Sequence, residues 1–128
     1  MMIRNQILII LFIFALLPPV YAGTVTKSDF QVKNTQSLLN LCNVNTDDPL
    51  YGQALHFCHG YLVGAFHFYK VSRLGPKKEH LVCVPEPAPS RNDAIDQFIS
   101  WANAHPEHMH EVPVETEFRF LIETWPCK

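Results

Sequence analysis

Seven histidines and four cysteines are the side chains with the chemistry to hold a metal ion, act as a nucleophile or cross-link the chain. Three of the histidines cluster late, at His105, His108 and His110, with Glu107 and Glu111 among them. Imidazole and carboxylate are both zinc ligands, and histidine is the side chain that titrates near neutral pH. A second pair, His56 and His59, stands at i and i+3 in a helical pattern, so the two rings can approach. His67 is two turns further along and too distant to act as their third ligand. The plain expectation for His56 and His59 is a polar helix face. For 105–113 it is a solvated connector that takes a metal only adventitiously. Neither a metal nor a cofactor is expected.

The cysteines are Cys42, Cys58, Cys83 and Cys127. An even count in an exported chain predicts two disulfides, and no C-x-x-C pair argues for zinc. Cys58 next to His59 has the composition of an activated thiol, but side chains at i and i+1 of a helix point about 100° apart. There is no G-x-S-x-G, no H-E-x-x-H and no glycine-rich phosphate loop. Asp47 and Asp48 fall in turn chemistry and suit a helix cap. No catalytic constellation is present, and a non-enzyme is expected.

Export itself is read from the first residues. Arg4 precedes an unbroken apolar run from Ile7 to Leu17, followed by two prolines and by Val20 and Ala22 as the small residues before a cut. This predicts a signal peptide over 1–22, cleaved after Ala22. The run is shorter than the roughly 20 residues of a membrane span, and Gly23 is not the cysteine of a lipoprotein. A single exported domain over 23–128 is therefore expected, without a membrane association after cleavage. The whole chain has 128 residues, 48% hydrophobic and 17% charged, with a net charge of -2. It offers no basic run to meet nucleic-acid phosphates.

Four helices must then carry the chemistry. Residues 23–33 have no pattern and read as a frayed leading segment. Asn34 or Thr35 caps a first helix ending near Cys42. Asp47 or Asp48, with Pro49, starts a second over about 49–71, with Leu50, Ala54, Phe57, Cys58, Tyr61, Leu62, Ala65 and Phe68 as its apolar content. Pro85, Pro87 and Pro89 forbid helix across 84–89. Ser90 starts a third helix over 91–104. The fourth runs over about 113–124, with Val114, Phe118, Leu121 and Ile122 facing inward, and Pro126 stops it. The fold class is all-α, a small four-helix domain stapled by two disulfides. If the last two helices run antiparallel, Cys83 approaches Cys127 and Cys42 is left for Cys58. The pairing Cys42–Cys127 with Cys58–Cys83 stays open as the alternative.

Gly60 and Gly64 stand four apart on the second helix beside Tyr61, and each glycine costs about 1 kcal/mol of helix propensity relative to alanine. Such a strip predicts the close approach of another helix, either from the same chain or from a second copy across a dimer contact.

The ordered pattern L-L-N-L-C at 38–42, C-H-G-Y-L-V-G at 58–64, C-V-P at 83–85, H-P-E at 105–107 and W-P-C at 125–127 resembles the Rap/Tai immunity proteins of type VI secretion amidase effectors. The architecture is also similar to the HdeA-like acid-stress chaperones. The last helix carries Glu115, Glu117 and Glu123 where the immunity family is more apolar. The resemblance implies a disulfide-bonded periplasmic protein, often dimeric, that binds and blocks a peptidoglycan amidase delivered by sister cells. The surface expected to meet that partner is the 105–113 connector, with His105, Glu107, His108 and His110, together with exposed faces of the second helix. A periplasmic acid-stress chaperone, motivated by the histidines, is the alternative, or else a binding module for another partner.

Overall fold

A computed structural model describes residues 24–128; the predicted signal peptide over 1–22 lies outside them. Among the described residues the regular elements are four α-helices and two short 3-10 turns: α1 (Thr35–Cys42), α2 (Tyr51–Ser72), α3 (Arg91–Asn103) and α4 (Pro113–Thr124). None of these helices is long and apolar enough to cross a membrane. The all-α class and the helix order agree with the sequence reading.

The helix starts follow from capping chemistry. Asn34 is extended, and its Oδ1 accepts from Ser37 N at 2.9 Å. Ser90 Oγ accepts from Asp93 N at 3.1 Å and donates to Asp93 Oδ2. Asp48 works one step earlier than a cap on α2. Its Oδ1 accepts from Leu50 N at 2.8 Å and its Oδ2 from Val25 N at 3.0 Å, so it ties the leading segment to the turn before the helix. That segment is not frayed. Val25 and Asp29 are buried, and Asp29 accepts from Thr26 N, Thr26 Oγ1 and Asn40 Nδ2 at 2.7–2.9 Å. Burial alone raises the Asp29 pKa, but these hydrogen bonds outweigh it and hold the carboxyl below its ordinary range. After α2 the chain reverses at Gly75, whose φ of +115° lies where glycine is favoured.

The short α1 is the centre of the core. Leu38, Leu39 and Leu41 are almost fully buried, together with Ala54 and Cys58 of α2 and Phe98 of α3. Cys42 pairs with Cys58 and Cys83 with Cys127, with Cα–Cα separations of 5.2 and 4.9 Å. The favoured pairing is the observed one, and no free thiol is present among the described residues. The second bridge is reinforced by Cys83 N donating to Trp125 O at 2.8 Å. The buried Tyr69 hydroxyl accepts from Leu81 N and Val82 N and so fixes the proline-rich loop against α2.

Two apolar stripes differ from expectation. On α2, Phe57 and Phe68 are exposed, the latter at 76%, while Tyr69 is buried instead. On α4, Val114 and Ile122 face solvent and Phe118 is half-buried; the inward face is Pro113, Thr116, Glu117, Phe120 and Leu121. Phe120 packs edge-on to Phe98 with ring centroids 5.8 Å apart and lies 6.0 Å from Trp101, and these contacts rotate α4 to the observed face.

Candidate partner-binding corner

The segment expected to be a solvated connector is an ordered corner. A 3-10 turn, Pro106–His108, joins α3 to α4. Its following residues cap α1: Thr35 N donates to Glu111 O at 2.9 Å and Gln36 N to Met109 O at 3.0 Å. The first N–H groups of a helix have no partner within it, and here the corner's backbone supplies one. Thr35 and Thr116 share a buried hydroxyl–hydroxyl bond of 2.6 Å directly beneath.

Side chains add a second layer. Trp101, one turn before His105 on α3, stacks on both imidazoles, with centroids 4.1 Å from His105 and 5.7 Å from His108. Glu107 Oε1 lies 2.9 Å from His105 Nδ1 and 3.7 Å from His108 Nε2. The other nitrogen of His108, Nδ1, is 3.0 Å from Glu111 Oε1. Arg119 donates from Nε to Glu111 Oε2 at 2.9 Å and from Nη2 to Glu115 Oε1 at 2.7 Å. The hydrogen bond from His105 is the main reason the Glu107 pKa is lowered. At Glu111 burial pushes the pKa up, but Arg119 and His108 prevail and it too is lowered. These opposed charges, chiefly Glu111, raise the Arg119 pKa further.

Of the residues expected to meet a partner, His105, Glu107 and His108 are thus brought together, and His110 is exposed outside their cluster. Glu111 belongs to the histidine cluster of the sequence but not to the expected partner contact, and Trp101 and Arg119 were not expected in the site. The i, i+4 spacing of Trp101 and His105 and the i, i+3 spacing of His108 and Glu111 carried that signal. His56, His59 and His67 form no three-ligand group among the described residues.

A second feature lies between the C-terminal half of α2, the 80–91 loop, α3 and α4. It is a largely apolar groove of about 790 Å³, lined by Leu62, Phe66, Val84, Phe98 and Trp125 among others, with Glu117 in its wall. Glu117 is only 4% exposed, and its Oε2 has no hydrogen-bond partner among the described residues. Burial pushes its pKa up to about 9, because an ionised carboxylate is costly without water or a partner.

Residues 34–127 match the family of Rap1a immunity proteins. The chain belongs to this family. No curated protein and no solved structure matches it, so the likeness to HdeA-like chaperones rests on the sequence alone. As a Rap1a immunity protein it acts against a secreted effector, which makes its partner a protein. The family is one of non-catalytic inhibitors and is typically periplasmic. The matched region contains both disulfides, the corner and the groove. It also contains the Gly60–Gly64 strip, which turns out to be exposed. A Cβ built on either glycine meets nothing within 4 Å, so none of the other described helices of the immunity protein is seated there.

Proposed function

We propose that this protein binds and blocks a peptidoglycan amidase delivered by type VI secretion, in the periplasm after cleavage behind Ala22, and that the His105–Glu111 corner meets the effector. The observation that carries this reading is the ordering of the corner in the free chain. Its imidazoles are stacked on Trp101, Glu111 is held by Arg119 and Glu107 meets the two histidines, so little side-chain freedom is left to lose on binding. An inhibitor gains from such prior ordering because binding energy is not spent on it. The corner presents two half-buried imidazoles and an exposed carboxylate, Glu107, groups suited to hydrogen-bond the polar machinery of a hydrolase cleft.

Titration calorimetry with the amidase encoded beside the immunity gene tests it. Glu107→Arg and His108→Ala should each weaken binding at least tenfold, about 1.4 kcal/mol, while Lys33→Ala should not. Unchanged affinity in both corner variants would remove the corner from the contact. Failure of the wild type to protect cells from any co-encoded effector would remove the amidase reading. Aggregation suppression at pH 3 in place of protection would favour the acid-stress chaperone.

The exposed Gly60 and Gly64, beside the half-buried Tyr61, support a homodimer contact, since among the described residues nothing fills the space next to either glycine. Light scattering at several concentrations checks this. A dimer mass that Gly64→Leu reduces without loss of helicity is expected. Monomer mass at every concentration would dispose of the dimer.

A further inference from the structure

We propose that His105, Glu107 and His108 form a three-ligand site for a zinc-type divalent cation, with Glu111 as the residue that positions His108. The proposal concerns the free protein and does not depend on which effector it blocks.

One ligand atom from each of the three side chains lies within 4.8 Å of the others. Zinc bound at 2.0–2.1 Å in tetrahedral geometry sets its ligand atoms about 3.3 Å apart. The two separations to Glu107 Oε1, 2.9 Å from His105 Nδ1 and 3.7 Å from His108 Nε2, bracket that spacing. Two imidazoles and one carboxylate, with a fourth position open at the surface, form a donor set that zinc takes in proteins.

What separates this cluster from a chance grouping of polar side chains is the layer behind it. A metal-bound histidine characteristically gives its other ring nitrogen to a carboxylate, which fixes the tautomer and the ring plane. Here His108 Nδ1 meets Glu111 Oε1 at 3.0 Å, which leaves Nε2 as the ligand atom towards Glu107. Glu111 is held in turn by Arg119 at 2.9 Å and by Thr116 Oγ1 at 3.3 Å. Trp101 covers the faces of both imidazoles and restricts their rotation. The turn that carries all three ligands is pinned by the backbone bonds to α1. The second histidine pair, His56 and His59, has none of this support among the described residues.

The test uses the untagged protein with its disulfides intact, treated with a chelator and exchanged into metal-free buffer. Titration with zinc chloride should show one strong site. The double substitution His105→Ala/His108→Ala should abolish it. Glu111→Gln, which keeps the shape but weakens the hold on His108, should loosen binding 10–100-fold. His56→Ala/His59→Ala should leave it unchanged. Cobalt(II) in place of zinc should give the intense visible absorption of a four-coordinate site and quench indole fluorescence beside Trp101. Absence of binding at 100-micromolar zinc (a threshold of roughly −5 kcal/mol) overturns the proposal. So does zinc binding that survives the His105→Ala/His108→Ala change or that is lost with His56 and His59. Circular dichroism of each variant confirms that the helices are retained; should the double variant lose them, Glu107→Gln at an exposed position carries the same test.

Discussion

Glu111 and Glu117 are near neighbours in the chain with opposite surroundings. Glu111 sits at a corner where Arg119, His108 and Thr116 all reach it, and its pKa is lowered. Glu117 turns into an apolar groove, leaves one oxygen unpartnered and has its pKa raised to about 9. At neutral pH the first is a carboxylate and the second a neutral acid. The contrast separates two uses of one side chain. A charge supplied with partners can be displayed to another molecule at little cost to the fold. A carboxyl buried without partners survives only by keeping its proton, and it taxes stability whenever the solution asks for that proton back.

The largest effect expected from breaking this contrast is at Glu117. Below its ordinary pKa of 4.5 the folded and unfolded chains both carry the proton and there is no penalty. Between 4.5 and about 9 the unfolded chain releases it and the folded chain does not, so stability falls as pH rises through that window. Glu117→Gln removes the slope and should stabilise the protein at pH 9 by up to about 5 kcal/mol relative to wild type. Urea unfolding at pH 5, 7 and 9 measures it. His67, Lys70, His80, Glu86 and Arg91 around the groove, and Tyr61 nearby, are common to both proteins, so the difference isolates Glu117. Parallel profiles for the two proteins would erase the distinction between groove and corner.

The next effect is at the covalent tie beside the groove. Cys83–Cys127 spans a sequence separation of 44 and Cys42–Cys58 one of 16. Loop-closure entropy predicts losses of about 4 and about 3 kcal/mol when each is replaced by a serine pair. Thermal unfolding of the two double mutants tests the order, and a reversed ranking would mean that local packing, not loop length, decides it.

Smaller still is Trp101→Ala. The indole is half-buried and its Nε1 has no partner among the described residues, so removal should cost about 2 kcal/mol. The two imidazole rings should also lose their ring-current shifts in the NMR spectrum. Trp101→Phe should keep those shifts, since a ring without the unpaired N–H can stack in the same place. The smallest effect is at Glu107, which is exposed and paired only with imidazoles. Glu107→Gln should move the melting temperature by less than about 3 °C, in sharp contrast to Glu117→Gln at high pH.

Most of the fold was legible because its signals are local. Asn34 and Ser90 are caps by chemistry, Gly75 ends α2 by its backbone, and the proline run can only be loop. Helix placement favoured the observed cysteine pairing but left Cys42–Cys127 with Cys58–Cys83 open. The orientation of α4 was not legible from its apolar residues, because Val114, Phe118, Leu121 and Ile122 make as good a stripe as the one that is buried. Its charges held a clearer signal. Glu115 and Arg119 pair at i, i+4 on the solvent face, and at about 100° per residue Glu117 stands opposite both of them. Its burial is written in that angle, even though a glutamate that follows Glu115 and Thr116 reads as surface. The corner was half legible. Composition drew notice to its histidines, but their order depends on the backbone of α1 and on Trp101, which only the folded chain brings to them. The Gly60–Gly64 strip shows the converse, a local pattern that meets no internal partner among the described residues.

The Cys83–Cys127 bridge gives the corner a further property. Everything from Val84 to Pro126, which includes α3, the histidine turn and α4, lies inside one covalent ring. A protease that cuts anywhere in that ring opens it without releasing a fragment. The nicked molecule gains the mass of one water, keeps both pieces attached and separates only when a reductant is added. For an immunity protein that meets a secreted effector, a single cleavage in the histidine turn is therefore a wound the chain can hold closed.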